Sequence, residues 1–138
     1  MINKLGSLSI IIVLMLIVFS VGECKERIVY QYDLTEQGVS SQGGEGSLIA
    51  NKGEKCKIKA VYYGEIGKGE YFFVFDNKVL FSGEYNEFVF SEGYIGDKYN
   101  EYILKSKEIL DVNQKDTYDT FNELKEQIPI NILKEFCG

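Results

Sequence analysis

Apolar and polar residues alternate with a period of two through much of residues 26–90, and the spacing changes to three and four beyond residue 97. In Lys55-Cys56-Lys57-Ile58-Lys59-Ala60 the alternation sends the lysines to water and Cys56, Ile58 and Ala60 inward, as in a strand with one wet face. Residues 27–32 are β-rich and place Ile28, Tyr30 and Tyr32 on one face. Residues 35–46 hold Gly38, Gly43, Gly44 and Gly46 and read as a loop. A short strand over 47–50 then turns through Asn51-Lys52-Gly53 into the Cys56 strand. After a second glycine-rich loop over 64–69, Tyr71-Phe72-Phe73-Val74-Phe75 is apolar at every position, which predicts a central strand covered on both faces. Asp76-Asn77 turns the chain into residues 78–82, and the mixed stretch 84–90 reads as a strand nearer an edge.

Past Gly93 the pattern predicts helices. Asp97 is placed to cap one over residues 98–110, with Tyr99, Tyr102, Ile103, Ile109 and Leu110 as its apolar stripe. Asp116 or Thr117 caps a second, in which Tyr118, Phe121, Leu124 and Ile128 recur at helical spacing until Pro129, and residues 130–137 form a short third. Strands followed by helices define an α+β class: an antiparallel meander of about five or six strands with two or three C-terminal helices packed on one face.

The first 22 residues stand apart. Lys4 is followed by an uncharged run from Leu5 to Gly22, and Ser20 and Gly22 supply the small residues a signal peptidase requires. Residues 1–22 are therefore expected to be a signal peptide, or an uncleaved anchor, and residues 23–138 a single exported domain. Val21-Gly22-Glu23-Cys24 approaches a lipoprotein signal but carries Glu23 where a small residue belongs. The expected location is the periplasm or the medium, or the outer surface of a membrane if the segment is retained. Membrane contact enters only through an uncleaved or lipidated N-terminal segment.

Cys24, Cys56 and Cys137 would then meet an oxidising compartment. Cys56 points inward by its alternation and Cys137 follows apolar Leu133 and Phe136, which favours a Cys56–Cys137 disulfide tying the last helix to the sheet. Cys24–Cys137 is the alternative pairing.

Composition narrows the chemistry. The 138-residue chain has no His, which removes Ser-His-Asp and Cys-His catalysis and the usual zinc sites. Its net charge of −6 makes nucleic acid an unsuitable partner. Gly64, Gly67 and Gly69 lack phosphate-loop spacing and precede a strand, and Asp111-Val112-Asn113 departs from a calcium loop at Lys115, Asp116 and Asn122. Glu65, Glu70, Glu84 and Glu87 could in principle supply a carboxylate pair, but no spacing singles out two of them. No catalytic residue, metal ligand or cofactor is assigned.

What remains is a surface. Between residues 84 and 102, Glu84, Glu87, Glu92, Asp97 and Glu101 interleave with Tyr85, Phe88, Phe90, Tyr94, Tyr99 and Tyr102. Tyrosine offers a rigid apolar body with a polar tip, and a negative field speeds encounter with a cation-rich protein. The expected function is that of a small exported binding protein, of inhibitor or immunity type, which masks a basic protein partner such as an envelope hydrolase or a toxin. Glu84, Glu87, Glu92 and Tyr94 are its candidate contacts. In size, export signal, acidity and disulfide the chain resembles exported inhibitor and immunity proteins, without a shared motif. The alternative is an envelope enzyme or small-ligand carrier with a pocket between sheet and helices, lined by Tyr62, Tyr71 and Phe73.

Overall fold

The structure is a computed structural model that describes residues 26–35, 42–77, 79–91 and 101–138. Six strands, β1 (Ile28–Asp33), β2 (Gly44–Ile49), β3 (Cys56–Tyr63), β4 (Gly67–Phe75), β5 (Leu80–Phe90) and β6 (Tyr102–Leu110), lie in chain order in one sheet. Every neighbouring pair is antiparallel. Helices α1 (Lys115–Glu126) and α2 (Ile130–Cys137) follow, so the α+β meander with two C-terminal helices is the observed architecture.

Register decides which side chains share a face. Leu48 pairs with Ile58, Ile58 with Phe73, and Cys56 with Phe75, so these residues stand together on the face under the helices. From above, Phe121, Leu124 and Ile128 complete a core in which Leu48, Ile58, Phe73 and Phe75 are fully buried. Phe121 meets Phe73 and Phe75 with ring centroids 5.6 and 5.2 Å away. Burying a side chain of this size contributes about 1.5–3 kcal/mol. Pro129 separates the two helices: α1 ends at Glu126 and Pro129 sits at the N-terminal cap of α2. Cys137 in α2 bridges Cys56 in β3 across 81 residues, the pairing favoured from the sequence. Closing a loop of that size stabilises by roughly 4 kcal/mol on the chain-entropy account. The disulfide suits an oxidising compartment, and among the described residues no helix is long and apolar enough to cross a membrane.

Four expectations are corrected. Residues 102–110 form β6 instead of the second half of a helix; residues 97–100 lie outside the described residues. Along 102–109 every residue is exposed, so no buried stripe exists to hold a helix, whereas β5 has a row of backbone groups to pair from Gly83 to Phe90. As expected, β5 lies nearer an edge than β4, one strand in from β6. The strand β4 is central, but the helices cover only one of its faces; on the other, Phe72 and Val74 are half-buried. A bulge between Ile28 and Tyr30 in β1 turns Val29, not Ile28, toward the core, and Ile28 is left 52% exposed. The glycine-rich stretches also begin strands earlier than expected, at Gly44 and Gly67.

Candidate functional site

The helices cover one end of their sheet face. Beyond them Tyr62 of β3, Tyr71 of β4 and Tyr85 of β5 stand on neighbouring strands, with Tyr62 edge-on to Tyr71 at 6.2 Å and Tyr71 tilted against Tyr85 at 4.7 Å. The row follows from register, since Ala60 pairs with Tyr71 and Tyr71 with Tyr85, and Tyr62 stands one pleat further along β3. Two glycines let the rings lie down. A Cβ on Gly69 would sit 2.6 Å from the Tyr85 hydroxyl, and one on Gly46 would sit 2.3 Å from the Tyr32 ring. In each case an aromatic ring occupies the space that a missing side chain leaves on the next strand.

The result is a groove of about 340 Å³ walled by Tyr62, Tyr71 and Tyr85, with Gly67 and Gly69 in its floor and Lys68 and Glu87 at its side. Carboxylates surround it. Burial raises the phenols of Tyr62, Tyr71 and Tyr85 above their ordinary value of 10.0; neighbouring phenols add to the shift at Tyr62 and Tyr71, and Glu123, Glu108 and Glu87 add to it in turn. At neutral pH these are therefore protonated hydroxyls, able to donate as well as accept hydrogen bonds, in a negative surround. Lys105 is the counter-charge at the rim, 2.9 Å from Glu87.

The residues singled out from the sequence divide among different places. Glu84 and Glu87 are three apart on β5 and so point to opposite faces of the sheet. Glu87 joins the groove; Glu84 lies on the open face, 3.3 Å from Lys107. The Asn86 side-chain amide, with Lys107, holds the Glu84 carboxyl below the usual range, the opposite of what a general acid requires. Glu92 and Tyr94 lie outside the described residues. Of the alternative pocket, Tyr62 and Tyr71 do line the groove, but Phe73 is fully buried beneath Phe121 and takes no part. Among the described residues no three His, Cys, Asp or Glu side chains gather as a metal site would require.

The sequence pattern alone does not connect Glu108, Glu123 or the glycine floor with the groove. Glu108 was hidden by the helix expected over 98–110, and Gly69 by its assignment to a loop. The usable clue was register: once β3, β4 and β5 form a meander with short turns, Tyr71 and Tyr85 must meet. Compared with family models, characterised proteins and solved structures, the chain matches none.

Proposed function

We propose that the chain is an exported, non-catalytic binding protein of the inhibitor or immunity kind, which engages a basic protein partner at the tyrosine-walled groove and blocks it sterically. The observation that carries this reading is the row Tyr62, Tyr71 and Tyr85, half-buried beyond the helices, with Glu87 lining the groove and Glu108 and Glu123 near enough to act on its phenols. Tyrosines anchor interfaces well, and Tyr85, held over Gly69, does so at low entropic cost because its ring has little freedom left to lose. The acidic rim favours a cationic partner and speeds encounter. Contact through Glu87 belongs to this surface, whereas contact through Glu84 would need the opposite face of the sheet.

The test is capture from envelope extract with the disulfide-bonded domain at low and high salt, followed by purification of the retained protein and assay of its activity with the domain added. Wild type is expected to retain a basic protein at low salt and to lower its activity, and Tyr71→Ser with Tyr85→Ser to lose both. If no basic protein is retained at low salt, the reading is wrong. A second reading, a small-ligand carrier, draws on the groove volume, which falls at the lower end of the range of small-molecule sites. A ligand seen by native mass spectrometry on wild type and absent from the double variant would favour it.

A further inference from the structure

Strand β6 is the last in the sheet, and among the described residues no strand pairs with its outer edge. A nine-residue strand in that place leaves a row of backbone N–H and C=O groups open to another strand. Its side chains are equally uncovered: every residue from Tyr102 to Ile109 is exposed, with Ile103 at 52%, Leu104 at 51% and Ile109 at 71%. The opposite edge, β1, is shorter and exposes only Ile28 among its large apolar side chains.

Lysines and a bulge commonly keep an edge from pairing, and β6 has both, but here they set a register. Against β5 the pairing moves from Ser106 opposite Glu87 to Leu104 opposite Phe88, so Lys105 is an extra residue. Lys105 and Ser106 both reach Glu87, at 2.9 and 3.4 Å, and so share the groove face. On either side of them the alternation is regular. Ile103, Glu108 and Leu110 stand opposite Val89, Tyr85 and Gly83 on the groove face, whereas Leu104, Lys107 and Ile109 stand opposite Phe88, Asn86 and Glu84 on the open face.

This order is self-complementary. A two-fold axis through Lys107, perpendicular to the sheet, lays a second β6 antiparallel to the first with like faces together. Glu108 then meets the copy's Lys105 and Ser106, Ile109 meets its Leu104, and Leu110 meets its Ile103; each contact occurs twice. Without the extra residue Ile109 would face Lys105, so the bulge is what joins apolar to apolar and acid to base, the cross-strand pairs that stabilise a ladder. Among the described residues no cation pairs with Glu108. Lys107, which meets its own copy on the axis, is neutralised by Glu84 at 3.3 Å.

We propose that the protein dimerises through β6, two copies pairing antiparallel about Lys107 so that their sheets become one. The contact is isologous and closed, so it ends at two chains. Both tyrosine grooves open on the same side of the joined sheet, and the pairing stands whatever either groove binds.

The disulfide-bonded domain carrying Cys24→Ser, which removes the third thiol, is followed by sedimentation equilibrium between about 1 μM and 1 mM, where a dimer is expected. Leu104→Lys with Ile109→Lys sets like charges across the seam twice and is expected to raise the dimer dissociation constant about 30-fold or more. Leu104→Glu with Ile109→Lys sets opposite charges there and is expected to return it to within about 5-fold of the parent. On mild oxidation Lys107→Cys is expected to give a cross-linked dimer. Ile109→Cys is not, because the two copies of residue 109 lie roughly 13 Å apart along the seam. The cross-link needs neither lysine variant, so a variant that fails to fold leaves the proposal testable. A monomer throughout the range overturns the proposal. So does a dimer that survives Leu104→Lys with Ile109→Lys, one that the opposite charges fail to restore, or cross-linking of Ile109→Cys as fast as that of Lys107→Cys.

Discussion

Phe73 and Tyr71 are two residues apart on the same face of β4, and they meet opposite fates. Phe73 is fully buried beneath Phe121, while Tyr71 is half-buried and walls an open groove. Their rings stack 6.0 Å apart, so one continuous aromatic row passes from the interior to the surface. The difference lies in the cover. The helices are tied by Cys137 to Cys56 at one end of β3, and Phe121 extends their cover to Phe73. Where they reach, the chain carries Leu48, Ile58, Phe73 and Phe75; where they do not, it carries Tyr62, Tyr71 and Tyr85. A hydroxyl on the ring marks the boundary between packing and presentation, since phenol tolerates a wet edge that benzene does not.

That contrast can be broken from either side. Phe73→Ala is expected to cost about 3–5 kcal/mol and Tyr71→Ala about 1 kcal/mol, measured as urea unfolding of the two variants side by side. Equal losses would mean that the groove is part of the core. Next in size, Cys56→Ser with Cys137→Ser is expected to lower stability by about 4 kcal/mol, or on the order of 15 °C in melting temperature. Hydrogen exchange on this variant should rise first over residues 130–137, because the bridge holds that helix.

A smaller effect sharpens the comparison through pH. The phenols of Tyr62, Tyr71 and Tyr85 are raised above 10.0 by burial and neighbouring charge. Above that pH the unfolded chain releases protons that the folded chain retains, so stability is unaffected below about pH 10 and falls as pH rises beyond it. Urea midpoints at pH 8, 10 and 11 should show the fall, and Tyr71→Phe with Tyr85→Phe should flatten it. The smallest effect concerns Glu84 and Lys107, a pair with one exposed and one half-buried member on the face away from the groove. Glu84→Gln is expected to change stability by less than about 1 kcal/mol and to leave partner capture intact, whereas Glu87→Gln should weaken capture at low salt.

Legibility followed the strength of local constraint. Cys56 could be placed inward because Lys55, Lys57 and Lys59 alternate with it, and its bond to Cys137 followed from two inward-facing thiols. The helix ending before Pro129 was readable because proline leaves few alternatives. The stretch 102–110 was misread because Tyr102, Ile103, Ile109 and Leu110 fit a helical stripe as readily as a strand, and only the unpaired edge of β5 chooses between them. Glu84 and Glu87 illustrate the same limit at the site. Together they read as one acidic surface, but an odd spacing on a strand divides them between two faces.

By itself the sequence determined the class of fold and the absence of histidine chemistry and favoured one disulfide pairing over another, because alternation, thiol placement and composition act locally or as counts. The tertiary structure alone decided which residues form a surface. Where the helices stop, which tyrosines lie over Gly46 and Gly69, and which face receives Glu84 or Glu87 all depend on strand register, and register is fixed by partners distant in the chain.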